Sequence, residues 1–210
     1  MEKNKTGKYF KYAIGEIILV VIGILIALQI NNWNQSQADN KRLNIYKSNL
    51  LEDLELDKSR LEQCLEFDLK KIDAIDRLID PLPNFYSDEN EPYKLNELLH
   101  TYSLIIHEGT FISITSGNGM ELFKNIGVSS AISTYYSKMK YVKRFEDSYI
   151  SDHHPLFLDF LNKNKNPKLD DIRGYLTIMR AVSGNEVSRY KDLIQQNNEL
   201  GELLISESNE

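Results

Sequence analysis

Residues 8–33 read KYFKYAIGEIILVVIGILIALQINNW, and residues 17–28 within them carry no polar side chain. The apolar run covers residues 12–30. At about 1.5 Å per residue it makes a helix close to the hydrocarbon thickness of a bilayer, about 30 Å. A helix buried in a soluble core would show an amphipathic period over that length, and this run shows none. The reading is a transmembrane helix. No cleaved signal peptide is predicted, because the apolar core continues into Leu28, Gln29, Ile30 and two asparagines where a small-residue cleavage site would stand.

The flanks orient the span. Lys3, Lys5, Lys8 and Lys11 precede it, and the first basic residues after it are Lys41 and Arg42. The positive-inside rule therefore places the N-terminus in the cytoplasm. Tyr9, Phe10 and Tyr12 at one end and Trp33 at the other suit the two interfaces, with Lys8, Lys11, Tyr12 and Trp33 as the predicted membrane anchors. The predicted division is a basic cytoplasmic tail over 1–11, a transmembrane helix over 12–30 and an exported domain over 31–210. Four lysines suit the tail to anionic lipid headgroups.

Charge narrows the partners of the exported part. Setting the four N-terminal lysines aside from 25 basic residues, and Glu2 and Glu16 from 31 acidic ones, leaves 21 against 29, a net charge of −8. A surface of that sign argues against nucleic acid. Cys64 is the one cysteine, so no disulfide forms within a chain; a buried thiol is expected, with pairing between copies as the alternative.

Beyond the span the chain reads as helical. Neither glycine nor proline occurs between Gly23 and Pro81, so nothing forces a break. Within that interval Leu43, Tyr46, Leu50, Leu54, Leu61, Cys64, Leu65, Ile72, Ile75 and Ile79 lie within about 60° of one direction on a helical wheel. This predicts one amphipathic helix over residues 40–80, with wetter points where Asp57 and Asp68 interrupt the stripe. A loop follows at Pro81, Pro83 and residues 86–92. Leu95, Leu98, Leu99, Tyr102 and Ile106 then predict a helix over 93–107.

Short helical pieces are expected around SGNG at 116–119. Ser129 or Ser130 can cap a helix through Ile132, Tyr136, Met139 and Tyr149 to about His153, with residues 156–161 continuing after Pro155. The stretch 162–167 reads as a turn. Two further helices, 169–182 and 187–205, are expected on either side of Ser183 and Gly184. The fold class is all-α: a transmembrane helix continuous with a long amphipathic helix, packed in an exported helical bundle.

Glu16 is the anomaly of the span, since a carboxylate there costs several kcal/mol unless it is protonated, paired or near the interface. Two arrangements accommodate it. It reaches the headgroups beside Lys8, Lys11 or Tyr12, or it belongs to a contact. Val20, Gly23, Ala27 and Ile30 lie within about 40° of it on the wheel, and Gly23 and Ala27 make a small-xxx-small face that lets another helix approach. Glu16, Val20, Gly23 and Ala27 are therefore the candidate interface, toward a second copy or another membrane protein.

The stretch GKYFKYAIGEIILVVIGILIALQINNWN at 7–34 closely resembles the start of a family of small single-span proteins of unknown function from Gram-negative bacteria. LLEDLELDKSRL at 50–61, residues 115–136 and the last helix are similar to that family's exported domain. The resemblance implies an inner-membrane protein with a periplasmic domain, and it implies no activity.

Catalytic and metal motifs are sparse. Glu97-Leu-Leu-His100 has the Glu-x-x-His spacing of di-iron bundles, and His107 would lie two turns from His100 on a helix. Such sites need two copies of the motif and two further glutamates. One copy is present, so Glu97, His100 and His107 are weak candidates and no metal is expected. Asp152-His153-His154-Pro155 reads as a solvated helix end. SGNG could offer backbone N–H groups to an anion or simply turn the chain, and Tyr135, Tyr136, Tyr141, Tyr149, Tyr175 and Tyr190 are expected at the edges of the core. There is no G-x-S-x-G and no P-loop. The expectation is a non-enzymatic, cofactor-free interaction protein, sensor-like or an accessory subunit, whose extracytoplasmic ligand is unspecified. The alternative class is an exported enzyme or metal-binding bundle.

Overall fold

The computed structural model describes residues 5–79, 98–164 and 168–206, without the side chains of 5–11 and 169. Four α-helices account for nearly all of them: α1 (Lys5–Ile79), α2 (Gly109–Ser116), α3 (Ile126–Lys163) and α4 (Leu169–Ser206), with a 3-10 turn at Gly119–Leu122. Among the described residues there is no strand. The all-α reading holds, with a long apolar helix at the N-terminus. The chain divides into two compact units, Met1–Ile45 and Tyr46–Glu210.

In the first unit, residues 12–30 are apolar and exposed on every face. The most apolar window of α1 has a mean hydropathy of 2.6, and none of it is buried. It is a helix long and apolar enough to cross a membrane.

The second unit is built on buried stripes of period 3.5. On α1, Leu50, Leu54, Asp57, Leu61, Cys64, Asp68, Lys71 and Ile75 alternate by four and three. On α4 the same alternation runs from Ile172 to Leu204, and on α3 from Val128 to Tyr149. That spacing keeps one face turned toward neighbouring helices over many turns. Pairs 54–197, 68–183 and 76–180 step in opposite directions, so α4 runs antiparallel to α1. One end of the core gathers Ile75, Leu98, Phe157, Leu176 and Met179. Exposed i,i+4 pairs, Glu66–Lys70 and Asp73–Arg77, both at 2.6 Å, lie on the solvent face, where water screens them.

The structure corrects several expectations. Residues 100–108 are not helical. The helix expected over 93–107 fails because this segment's backbone groups are bonded by side chains of α1 and α3 instead of by helical neighbours. Its residues 93–97 lie outside the described residues. Second, α3 begins at Ile126, not at Ser129 or Ser130: Asn125 is the cap, its Oδ1 accepting from Gly127 N at 2.8 Å. The helix also runs through Pro155. The buried face steps by five residues there, from Tyr149 to His154, so His154 is packed inside and is not a solvated end.

Third, Ser183 and Gly184 do not break the last helix, since Ser183 Oγ donates to Asp68 Oδ1 at 3.1 Å in the interior. Fourth, Asp57 and Asp68 are not wet points; both are buried.

Candidate functional site

The buried stripes carry charge where a core would ordinarily be apolar. Asp57, Glu146, Asp68, Lys71 and Glu186 are only 0, 3, 6, 7 and 8% exposed. Buried carboxylates persist only when bonded, and for Asp57 and Glu146 a main partner is the segment 100–108, which is strapped across α1 and α3.

Asp57 holds one end of this strap. Its Oδ1 accepts from His107 N at 2.8 Å and meets His107 Nδ1 at 2.9 Å, while Tyr135 OH donates to Oδ2 at 3.2 Å. Asn197 Nδ2 donates to Tyr135 OH at 3.0 Å and to Leu54 O at 2.8 Å, joining α4 to the same network. Tyr136 OH donates to His107 O at 3.2 Å. Burial raises the Asp57 carboxyl above its ordinary range, against the lowering effect of these bonds.

Glu146 holds the other end. It accepts from Leu104 N at 2.9 Å, from Ser103 Oγ at 3.3 Å and from the Tyr190 hydroxyl. Arg60 Nε donates to Ser103 O at 2.9 Å, Cys64 Sγ to Tyr102 O at 3.1 Å and Lys71 Nζ to His100 O at 3.4 Å. The Arg60 guanidinium also sits 3.8 Å from the centre of the Tyr102 ring. Burial raises Glu146, and it pushes the Cys64 thiol up to about 12, leaving that cysteine unreactive.

Beside Glu146, Asp68 of α1 and Glu186 of α4 lie close enough that each influences the other's ionisation. Burial is the first cause that raises both. The pair lines a cavity of about 20 Å³ with Lys71, Glu146, Tyr149, Tyr190 and the strap residues Thr101, Tyr102 and Ser103. That is room for about one water molecule.

The residues singled out from sequence fall elsewhere. Glu16, Val20, Gly23 and Ala27 share a face of α1 and are exposed, as are Tyr12 and Trp33. The side chains of Lys8 and Lys11 lie outside the described residues, as does Glu97. His100 is exposed and His107 is bonded to Asp57, both on the non-helical strap, so the helical spacing that made them a pair is gone. Among the described residues no three metal-ligating side chains gather. Of the tyrosines, Tyr135, Tyr136, Tyr149 and Tyr190 are buried while Tyr141 is exposed.

SGNG is a packed turn. Asn118 takes a left-handed conformation, φ 54°, and a Cβ on Gly119 would come within 2.9 Å of Tyr46 Cε2. Sequence reasoning missed Lys71, Glu146 and Glu186; the signal was their place in the three-and-four alternation.

No curated protein matches this chain significantly, and no solved structure does. A family model matches residues 16–154, from within the apolar run to Pro155's neighbour His154 and thus over the strap and both its clasps but not α4. The match covers more than half of the chain, which belongs to a family of unknown function, DUF6090.

Proposed function

We propose that this chain is a single-pass protein of the bacterial inner membrane, with the N-terminus cytoplasmic and a periplasmic helical domain that acts by binding and not by catalysis. The carrying observation is the window of mean hydropathy 2.6, none of it buried among the described residues. Lipid is the partner that such a surface fits. Lysines before the span and aromatic residues at both ends support the orientation. A binding role is supported by the use of the buried charges, since both oxygens of Asp57 and both of Glu146 are engaged by groups of the protein itself.

Within the membrane, the face of Glu16, Val20, Gly23 and Ala27 meets another span, either a second copy or a different protein. The span acts as a sensor-like or accessory element through this contact, and α1 has no helix break between it and Ile79. The test is crosslinking of the intact protein in native membranes, with Gly23→Ile and Glu16→Leu as variants. Loss of a specific adduct in both supports the interface. Unchanged adducts reduce the span to an anchor.

A further inference from the structure

We propose that the Asp68–Glu186 pair is a proton-operated latch: one shared proton closes it, and release of that proton to solvent loosens α1 from α4 and frees the strap. Asp68 on α1 and Glu186 on α4 are both buried and line one cavity of about 20 Å³, and two carboxyl groups held together in so small a site favour keeping a single proton between them. Ser183 Oγ completes the pair by donating to Asp68 Oδ1 at 3.1 Å.

The groups facing the latch come from every element around it. Helix α1 supplies Lys71 and the Cys64 thiol; α3 supplies Glu146 and Tyr149, with His154 beside Lys71; α4 supplies Tyr190; the strap supplies Tyr102. Lys143 stands at the rim, 4.0 Å from Glu146 Oε2. Three buried carboxyl groups thus face one buried ammonium. Full ionisation would leave uncompensated negative charge in a site of low polarity, which proteins avoid by keeping a proton. In keeping with this count, burial first and the Asp68 charge second push Glu186 up to about 8.

Lys71 couples the latch to the strap. Its charge is attracted to both carboxyl groups, and its Nζ also donates to His100 O at 3.4 Å. The cavity that would admit water to the ionised pair is lined by Thr101, Tyr102 and Ser103. Ionisation therefore acts on the strap's hold at residues 100–103 first, while the Asp57 clasp at His107 stays closed. The latch does not depend on membrane anchorage.

The test uses the full chain in detergent micelles, with amide hydrogen exchange read at Leu104 and along α1 near Asp68. Glu186→Gln keeps a hydrogen-bonding side chain of the same size and cannot ionise. The ratio of exchange rates, wild type over Glu186→Gln, cancels the intrinsic pH dependence of exchange; it is expected to grow at least about tenfold between about pH 6 and about pH 9. A constant ratio overturns the latch. Asp68→Asn serves in the same way if the first variant does not fold. The wild type alone gives an independent reading: the infrared absorption of a protonated carboxylic acid should persist at neutral pH and vanish above about pH 9, and its absence at neutral pH overturns the proposal.

Discussion

Asp57 and His107 meet through two contacts at once: the carboxylate, wholly buried in α1, accepts the His107 backbone N–H at 2.8 Å and contacts its Nδ1 at 2.9 Å. One side chain of a helix thereby closes a non-helical segment onto the domain. Asp57→Ala leaves the His107 N–H and the Tyr135 hydroxyl without their acceptor, and should cost about 2–4 kcal/mol. Asp57→Asn keeps one acceptor and should cost about half as much. Urea unfolding of the domain, followed by circular dichroism in the full chain, measures both.

Stability should depend on pH in a defined sense. A carboxyl group raised in the folded state keeps a proton that the unfolded chain has lost. Its contribution is complete below the ordinary carboxylate range and declines as pH rises toward its folded pKa, about 8 for Glu186. His154, lowered first by burial and then by Lys71, acts oppositely, costing stability as pH falls below its ordinary value of about 6.5. Between about pH 6.5 and 8 the carboxyl effect stands alone of these two, so the melting temperature should fall across that interval, by up to about 1.4 kcal/mol of stability per pH unit for each proton. Glu186→Gln should flatten the slope.

Two glycines should respond in opposite directions to alanine. At Gly119 the new methyl group meets Tyr46 Cε2 at 2.9 Å and Ile114 Cα at 3.0 Å, so overpacking should cost about 1–3 kcal/mol. At Gly184, inside α4, nothing lies within 4 Å, and alanine should add about 0.5–1 kcal/mol through helix propensity. Paired thermal melts decide both signs.

Cys64 should behave as an inert thiol. It is buried, donates to Tyr102 O and is pushed up to about 12. A maleimide reagent should label the folded chain slowly and the urea-unfolded chain at once, and no disulfide-linked dimer should form without unfolding.

Much of the fold was legible because it is local. The apolar run of 12–30, the absence of glycine and proline up to Pro81, and the leucine spacing of residues 50–75 led directly to α1. The strap was illegible for the opposite reason. Leu98, Leu99, Tyr102 and Ile106 have helical spacing, but Asp57, Arg60, Lys71 and Glu146, some 30–50 positions away, take the backbone groups a helix would have paired. Asp57 and Asp68 lie on the stripe by the wheel itself and read as wet points only because their partners, His107, Tyr135 and Ser183, are remote in sequence. Ser183 and Gly184 read as punctuation because the Ser183 partner, Asp68, is remote in sequence. The Glu16 face was readable as geometry, since a helix fixes which residues share a side.

The most direct test of the account is the topology of the intact protein in a Gram-negative host: alkaline carbonate extraction of membranes, followed by protease treatment of spheroplasts with antibody detection of the C-terminal domain. The account predicts that the chain stays with the membrane after extraction and that its domain is digested from outside, while a cytoplasmic control survives. Release of the chain by carbonate, or a domain protected until the cells are lysed, would contradict it.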